Sequence, residues 1–282
     1  MVKFNKELEE RCFTDFEPDG KIGILSSVAP DGYPHMALIT TIMAKTKTSI
    51  MWGQFTQGLS KKYLVDNKKT GFLVVDTGMN WWTGKALHVD SARKGEDFVR
   101  YNDKPMYRYN CYCGIGVVHY EDLVDISIGA KLPLLNIAIG ACKSNYMKAF
   151  IKKDKSVVKL PDFGVNIAKK IDSLIFISYV DTDGYPRVIP AIQGAPVDNN
   201  KLIFSLSLYP ELLKQIPSGA KVAVYITNLN LVGFLCQGRW SGIKKYGGVQ
   251  GALFEIDKVY NPMLPAPRYV YPEQEFKSVF GE

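Results

Sequence analysis

An internal repeat constrains this chain more than any other feature. The segment ILSSVAPDGYP at 24–34 recurs as FISYVDTDGYP at 176–186, an offset of 152 residues (176 − 24). Self-similarity at a fixed offset marks one structural unit built more than once. In both copies an apolar run meets Asp-Gly and a second apolar run follows, over 34–43 and 186–193. Asp-Gly between apolar runs signals a β-hairpin, because the turn needs positive φ, which glycine takes without steric cost. Each copy therefore opens with a hairpin.

The correspondence continues past the hairpin. It predicts a third short strand at 48–53 and 202–207, a helical stretch at 58–66 and 210–216, and a fourth strand at 71–76 and 221–227. Two more strands follow in each copy, at 82–89 and 114–124, and at 232–240 and 251–260. The pattern predicts a mainly β (α+β) fold of two tandem six-stranded antiparallel barrels with short helices, closure removing most exposed strand edges. Between the copies, residues 134–153 carry apolar side chains in helical groupings and lead into a lysine-rich connector. The expected organisation is a first barrel at 1–130, a helical basic linker at 131–170, and a second barrel with an extended tail at 171–282. Prolines at 262, 265, 267 and 272 exclude a continuous helix in that tail.

With 282 residues, 46% of them hydrophobic, the chain can bury a core in each copy, which argues against a disordered or fibrous protein. Its first residues lack the basic-then-apolar layout of a signal peptide, and the longest apolar run, 132–142, is too short to cross a bilayer. The expectation is a cytoplasmic protein with no membrane partner. Five cysteines, at 12, 111, 113, 142 and 236, are an odd number, so reduced thiols are expected. Most of the net charge of +7 sits at 143–170, where eight lysines face two aspartates (8 − 2 = +6). Two readings stay open for that segment: a solvated linker, or a docking surface for a polyanionic partner. No zinc-finger, RNP-type or helix-turn-helix signature accompanies it, so nucleic acid is not an expected partner.

Chemistry concentrates in QFTQGLSKKY at 54–63, where a strand ends and a helix begins. Backbone N–H groups at a helix N-terminus attract anions. Thr56 and Ser60 add hydroxyls, while Lys61 and Lys62 add compact cations suited to a phosphate. An ordinary surface helix beginning with serine and lysine is the competing reading.

In three places the sequence resembles the flavin-binding split barrels of the pyridoxamine 5′-phosphate oxidase family. The strand His35, Met36, Ala37, Leu38, Ile39, Thr40 is similar to the family's Arg-x-Val-Leu-Leu-Lys strand along the flavin. Thr56, Ser60, Lys61 and Lys62, with Gln54 beside them, resemble its Thr-Asn-x-x-Ser-Arg-Lys grip on the FMN phosphate. The strand WTGKALHV, opening at Trp82, stands where the family has an Arg-x-x-Gly strand near the ring. The resemblance covers about 20–125 well, and 173–260 in fold pattern only.

The departures are informative. His35 and Thr40 replace Arg and Lys, so activity on pyridoxamine phosphate does not carry over. Copy two reads SLYPELLK at 207–214, with Pro210 and Glu211 in place of the basic pair. The resemblance thus implies one FMN site per chain, with the phosphate held by copy one. Copy two is expected to cover the ring through Arg239 and Trp240. It further implies an FMN-dependent oxidoreductase passing hydride from a reduced nicotinamide, NAD(P)H, to a small organic acceptor, and a homodimer. Tyr33, His35 and His88 are the candidate proton donors, with burial or an ordinary hydrogen bond as the competing role for each.

Alternatives from other classes are a flavin store or redox sensor without turnover, a deazaflavin in place of FMN, and haem ligated by His88 and His119. Weaker features include Cys111 with Cys113, which lack further ligands at zinc-like spacing, and Trp81 with Trp82, which suit a packed barrel edge. The glycines at 247, 248 and 251 lack the strand-to-helix setting of a dinucleotide fingerprint. No Gly-x-Ser-x-Gly supports a serine hydrolase.

Overall fold

A computed structural model describes residues 2–109, 114–154, 156–170, 172–228, 230, 232–263 and 267–274. Cys111 and Cys113 lie outside the described residues. In copy one the main strands are β1 (Ile22–Val28), β2 (Pro34–Leu38), β3 (Met43–Thr46), β4 (Ser49–Gln54), β5 (Lys69–Val75), β6 (Asn80–Ala92) and β7 (Val117–Ser127), with helix α1 (Leu59–Asp66) between β4 and β5. Helices α2 (Leu134–Met147) and α3 (Asp162–Lys169) connect the copies. Copy two comprises β8 (Leu174–Val180), β9 (Pro186–Pro190), β10 (Ala195–Pro196), β11 (Lys201–Ser205), α4 (Pro210–Leu213), β12 (Lys221–Thr227), β13 (Gly233–Tyr246), β14 (Val249–Asn261) and β15 (Arg268–Tyr271).

Strand order is β2-β1-β5-β6-β7-β4-β3 in copy one and β9-β8-β12-β13-β14-β11-β10 in copy two, the same path twice and antiparallel throughout. β2 and β3 stand at opposite ends of their path, yet only residues 39–42 join them. Four linking residues reach about 17 Å at most, so the sheet must curl until its ends meet. Ile39 N–H donates to Gly23 O at 2.7 Å, extending the β1–β2 ladder to the start of that crossing. A Cβ on Gly23 would lie 2.1 Å from Ile39 O, so glycine is required there. The fold is a tandem pair of split barrels, mainly β, with few helices.

Each path holds seven strands rather than the six expected, because the run 34–43 breaks at the closure into β2 and β3. β6 and β13 are also longer than the pattern indicated. Register shifts near Lys85 and His88, and near Gly238 and Trp240, bend them around the barrel. Part of the proline-bearing tail is a strand, β15, which pairs with β14. No helix among the described residues is long and apolar enough to cross a membrane.

The copies face each other through their opening hairpins, as an intramolecular counterpart of a twofold dimer interface. Ser26 Oγ lies 2.8 Å from Ser178 Oγ, its own repeat partner. Lys69 Nζ donates to Asp183 O at 2.6 Å and Lys221 Nζ donates to Asp31 O, each contact being the other shifted by 152. The same lysines lie over Tyr185 and Tyr33, at 4.9 and 5.2 Å from the ring centroids. Thr83 Oγ1 donates to Val188 O at 2.6 Å, and Gln237 Nε2 to Pro34 O at 2.8 Å. One apolar cluster runs through the joint, uniting Ile24, Met36 and Leu73 with Phe176, Val188 and Tyr225.

A buried polar group lies inside the first barrel. Glu121 is fully buried and accepts from Trp52 Nε1 at 2.7 Å and from Thr70 Oγ1. Burial pushes its carboxyl up to about 7, against the opposing pull of the Thr70 and Trp52 hydrogen bonds.

Two outcomes are expected. A Cβ at Gly71 would lie 2.1 Å from Pro186 O across the joint, so Gly71→Val should lower unfolding free energy in urea by about 3 kcal/mol or more. For Glu121, a folded pKa above the unfolded one means that the folded state binds the extra proton. That contribution is complete below pH ~4.5 and is lost as pH rises through ~7. Glu121→Gln should therefore raise stability by about 1–3 kcal/mol above pH 7, with parent and variant converging below pH ~5 in thermal melts.

Candidate functional site

Closure of the first barrel leaves β2 beside the turn between β4 and α1, and the joint brings copy two over both. The result is a cleft of about 440 Å³. One wall is residues 35–41; the floor and opposite end come from Gly53, Phe55 and residues 56–61. Copy two supplies Tyr225 from β12, Tyr260 from β14, and Pro262, Met263 and Pro267 from the tail. Thr41 is held by three hydrogen bonds: its Oγ1 donates to Gly53 O at 2.7 Å and accepts from Gly53 N–H at 3.1 Å, and its carbonyl accepts from Tyr101 Oη at 2.8 Å.

α1 begins at the cleft. Its N-cap, Gly58, has extended backbone and no side chain, and no side chain caps the first turn. The N–H groups of Leu59, Ser60 and Lys61 therefore remain available to an acceptor. Lys61 forms no ion pair with a described carboxylate; its Nζ lies 5.9 Å from the Trp52 ring centroid. Burial holds its ammonium down to about 8. His35 is 2% exposed, and its Nδ1 has no hydrogen-bond partner. Tyr63 and Tyr260 meet the ring edge-on at 5.4 and 5.1 Å. Burial, and secondarily the charge of Lys61, hold His35 down to about 3, so the imidazole is neutral near pH 7.

The structure brings together residues 35–40, Thr56, Ser60 and Lys61 around the cleft. Lys62 instead lines an adjoining open depression with Arg268 and Tyr269. Gln54 lies behind the wall, its Oε1 2.8 Å from His119 Nε2. Trp82 does not line the cleft: strand alternation points it into the first barrel core, edge-on to Phe16 at 5.2 Å. Trp240 is likewise buried, in the core of copy two, 5.7 Å from Phe204. Arg239 is half-exposed, donates to Gly219 O at 3.2 Å, and also does not line the cleft. Copy two covers the cleft through Tyr225, Tyr260 and the tail, which lie far apart in sequence from Arg239 and carry no motif.

Of the proposed proton donors, only His35 lines the cleft. Tyr33 donates to Asp257 Oδ2 at 2.6 Å, and burial together with that bond pushes its phenol up to about 12. His88 Nε2 lies 3.1 Å from His119 Nδ1. With Gln54 on its other nitrogen and Trp52 stacked at 4.0 Å, His119 has both ring nitrogens engaged and one face covered. That arrangement leaves no nitrogen of His119 open for an axial ligand role.

The equivalent region of copy two is built differently. Arg187, the repeat partner of His35, donates to Asp125 Oδ2 at 2.6 Å. Tyr209, the counterpart of Gln57, takes a left-handed conformation at φ 45° and lies 4.6 Å from the Trp81 ring. That aromatic pair fills the place where copy one has its turn, and Glu211 stands in the first turn of α4.

No protein-family model matches the chain. No curated protein matches it either. Among solved structures it is similar to an FMN-binding protein from Syntrophomonas wolfei subsp. wolfei, with 16% identity, 44% of this chain and 86% of that one covered, and a TM-score of 0.37. It is also similar to HupZ from Group A Streptococcus, at 13% identity, 44% and 98% coverage and a TM-score of 0.35. A third is an F420 reductase, at 17% identity, 43% and 98% coverage and a TM-score of 0.34.

Proposed function

We propose that the cleft between the copies is a flavin mononucleotide site and that the chain is a flavin-dependent oxidoreductase, taking hydride from NAD(P)H and passing it to a small organic acceptor. The observation that carries this reading is Lys61. A cation that burial holds down to about 8, without a partner among the described carboxylates, beside an uncapped helix start and two hydroxyls, is complementary to a phosphate monoester.

The residues present fit the group. Lys61, Ser60, Thr56 and the first-turn N–H groups of α1 would hold its phosphate, and the β2 wall at 35–40 would take its ring. Bound flavin supplies the hydride-accepting and hydride-donating chemistry. Tyr225, Tyr260, Met263 and the two prolines exclude water from the apolar side of the cleft. His35, neutral and with an unpartnered Nδ1, offers one hydrogen bond without carrying charge into the cleft. The cleft draws its lining from both copies within one chain.

Purified or reconstituted protein should show flavin absorption bands, and Lys61→Ala should weaken FMN affinity by roughly 10- to 100-fold while leaving riboflavin affinity nearly unchanged. A protein that takes up no added FMN would sink the reading. The affinity should also depend on pH with a defined sign. A phosphate monoester gains its second charge near pH ~6, and Lys61 loses its proton above about 8 in the free protein. FMN binding measured by fluorescence quenching should therefore be tightest between those values, and the alkaline decline should vanish in Lys61→Ala.

A further inference from the structure

α2 is turned inside out relative to an ordinary surface helix. Its protein-facing side carries small residues ahead of the buried Met147: Ser144 Oγ accepts from Ser205 N–H at 3.0 Å, and the Gly140 carbonyl accepts from Ser205 Oγ at 3.0 Å. A Cβ at Gly140 would lie 2.7 Å from the Gln193 Cβ, so that side cannot roll away. At 100° per residue, Leu135, Ile139, Cys142 and Tyr146 then share the opposite, solvent-facing side. Leu135 is 74% exposed and Leu134 62%, and Phe150, just past the helix, is 53% exposed. An apolar stripe of this length open to water marks an interaction surface.

The second observation is independent of the first. Where the stripe ends, Lys148, Lys153 and Lys169 converge on a depression of about 440 Å³ walled by Ala149, Ile151, Pro196 and Val197. None of the three lysines forms an ion pair with a described carboxylate. Lys148 is held below its ordinary value by burial, then by Lys169 and Lys153. Phe150 packs on the turn at Gly247, which follows Lys244 and Lys245, both exposed. The stripe is thus flanked by cations that no described carboxylate pairs.

We propose that this face docks on an anionic lipid bilayer, with the α2 stripe entering the headgroup boundary and the lysine depression taking headgroup phosphates. The combination of apolar side chains in one row and lysines beside them suits an interfacial helix. A second copy of the chain is the poorer occupant, because α2 carries no acidic side chain to meet the partner's lysine depression. This departs from the sequence-based expectation of no membrane contact, which rested on the lack of a spanning segment.

The test is co-sedimentation of the full chain with vesicles of phosphatidylcholine alone and of phosphatidylcholine with one part in four phosphatidylglycerol. The expected result is pelleting with the anionic vesicles only, weakened by salt. Lys148→Gln, Lys153→Gln and Lys169→Gln should each weaken it about fivefold. Leu135→Glu with Ile139→Glu should weaken it at least about tenfold, with circular dichroism and melting like the parent because both side chains face solvent. Failure to pellet with anionic vesicles overturns the proposal. So does unchanged pelleting of the Leu135/Ile139 variant, or binding of inorganic pyrophosphate to the depression without vesicle binding. A dimer in sedimentation velocity that Leu135→Glu dissociates would assign the face to a second copy and overturn it equally.

Discussion

The contact between Ser26 and Ser178 marks the place on which the remaining architecture depends. Two identical elements can meet about a twofold axis only by placing a residue against its own equivalent, and this pair does so at 2.8 Å within one chain. Around it the lysine contacts to opposite turn carbonyls repeat with an offset of 152. Gly71 lets the β9 backbone approach closely at Pro186. Because the partners are covalently joined, the interface forms at the effective concentration of an intramolecular contact and does not depend on protein concentration. The cleft inherits that security, since Tyr225 and Tyr260 reach it only when the hairpins are docked.

Joining the copies also releases them from identity. In a true twofold dimer both clefts would carry the same residues. Here the copy-one turn keeps Thr56, Ser60 and Lys61, while at the corresponding place in copy two Tyr209 packs on Trp81 and Glu211 enters the first helical turn. His35 and Arg187 diverge in the same way: one is neutral and partly unpartnered at a cleft wall, the other is paired with Asp125. Copy one keeps the hydroxyls and the cation at the cleft, and copy two covers them with Tyr225 and Tyr260.

Much of the fold was legible because hairpins are local. Asp-Gly at 31–32 and 183–184 sets the turn, both glycines adopt φ +80°, and the strands on either side follow by alternation. The break of 34–43 into β2 and β3 was not legible, since it arises where the chain crosses from one end of the sheet path to the other as the barrel closes. Of the residues singled out in the sequence, Thr56, Ser60 and Lys61, at the strand-to-helix junction, line the cleft. Trp82, Trp240 and Arg239 were misplaced because sequence position near a predicted strand does not say which side of a bent strand faces the cleft. Tyr225 and Tyr260 carried no signal, as each looks like any strand aromatic until the second barrel is laid against the first.

The sequence by itself determined that one β unit occurs twice, that each unit opens with a tight hairpin, and that only the first retains a basic strand-to-helix junction. Those are properties of residue type and short spacing, where turn sterics and alternation act between near neighbours. Tertiary structure alone decided that the two units close on each other, that the cleft is roofed by the opposite copy, and that α2 buries its small residues and presents its leucines. Each of these outcomes balances surfaces that meet only after folding, over long separations along the chain, and no local pattern encodes which face wins.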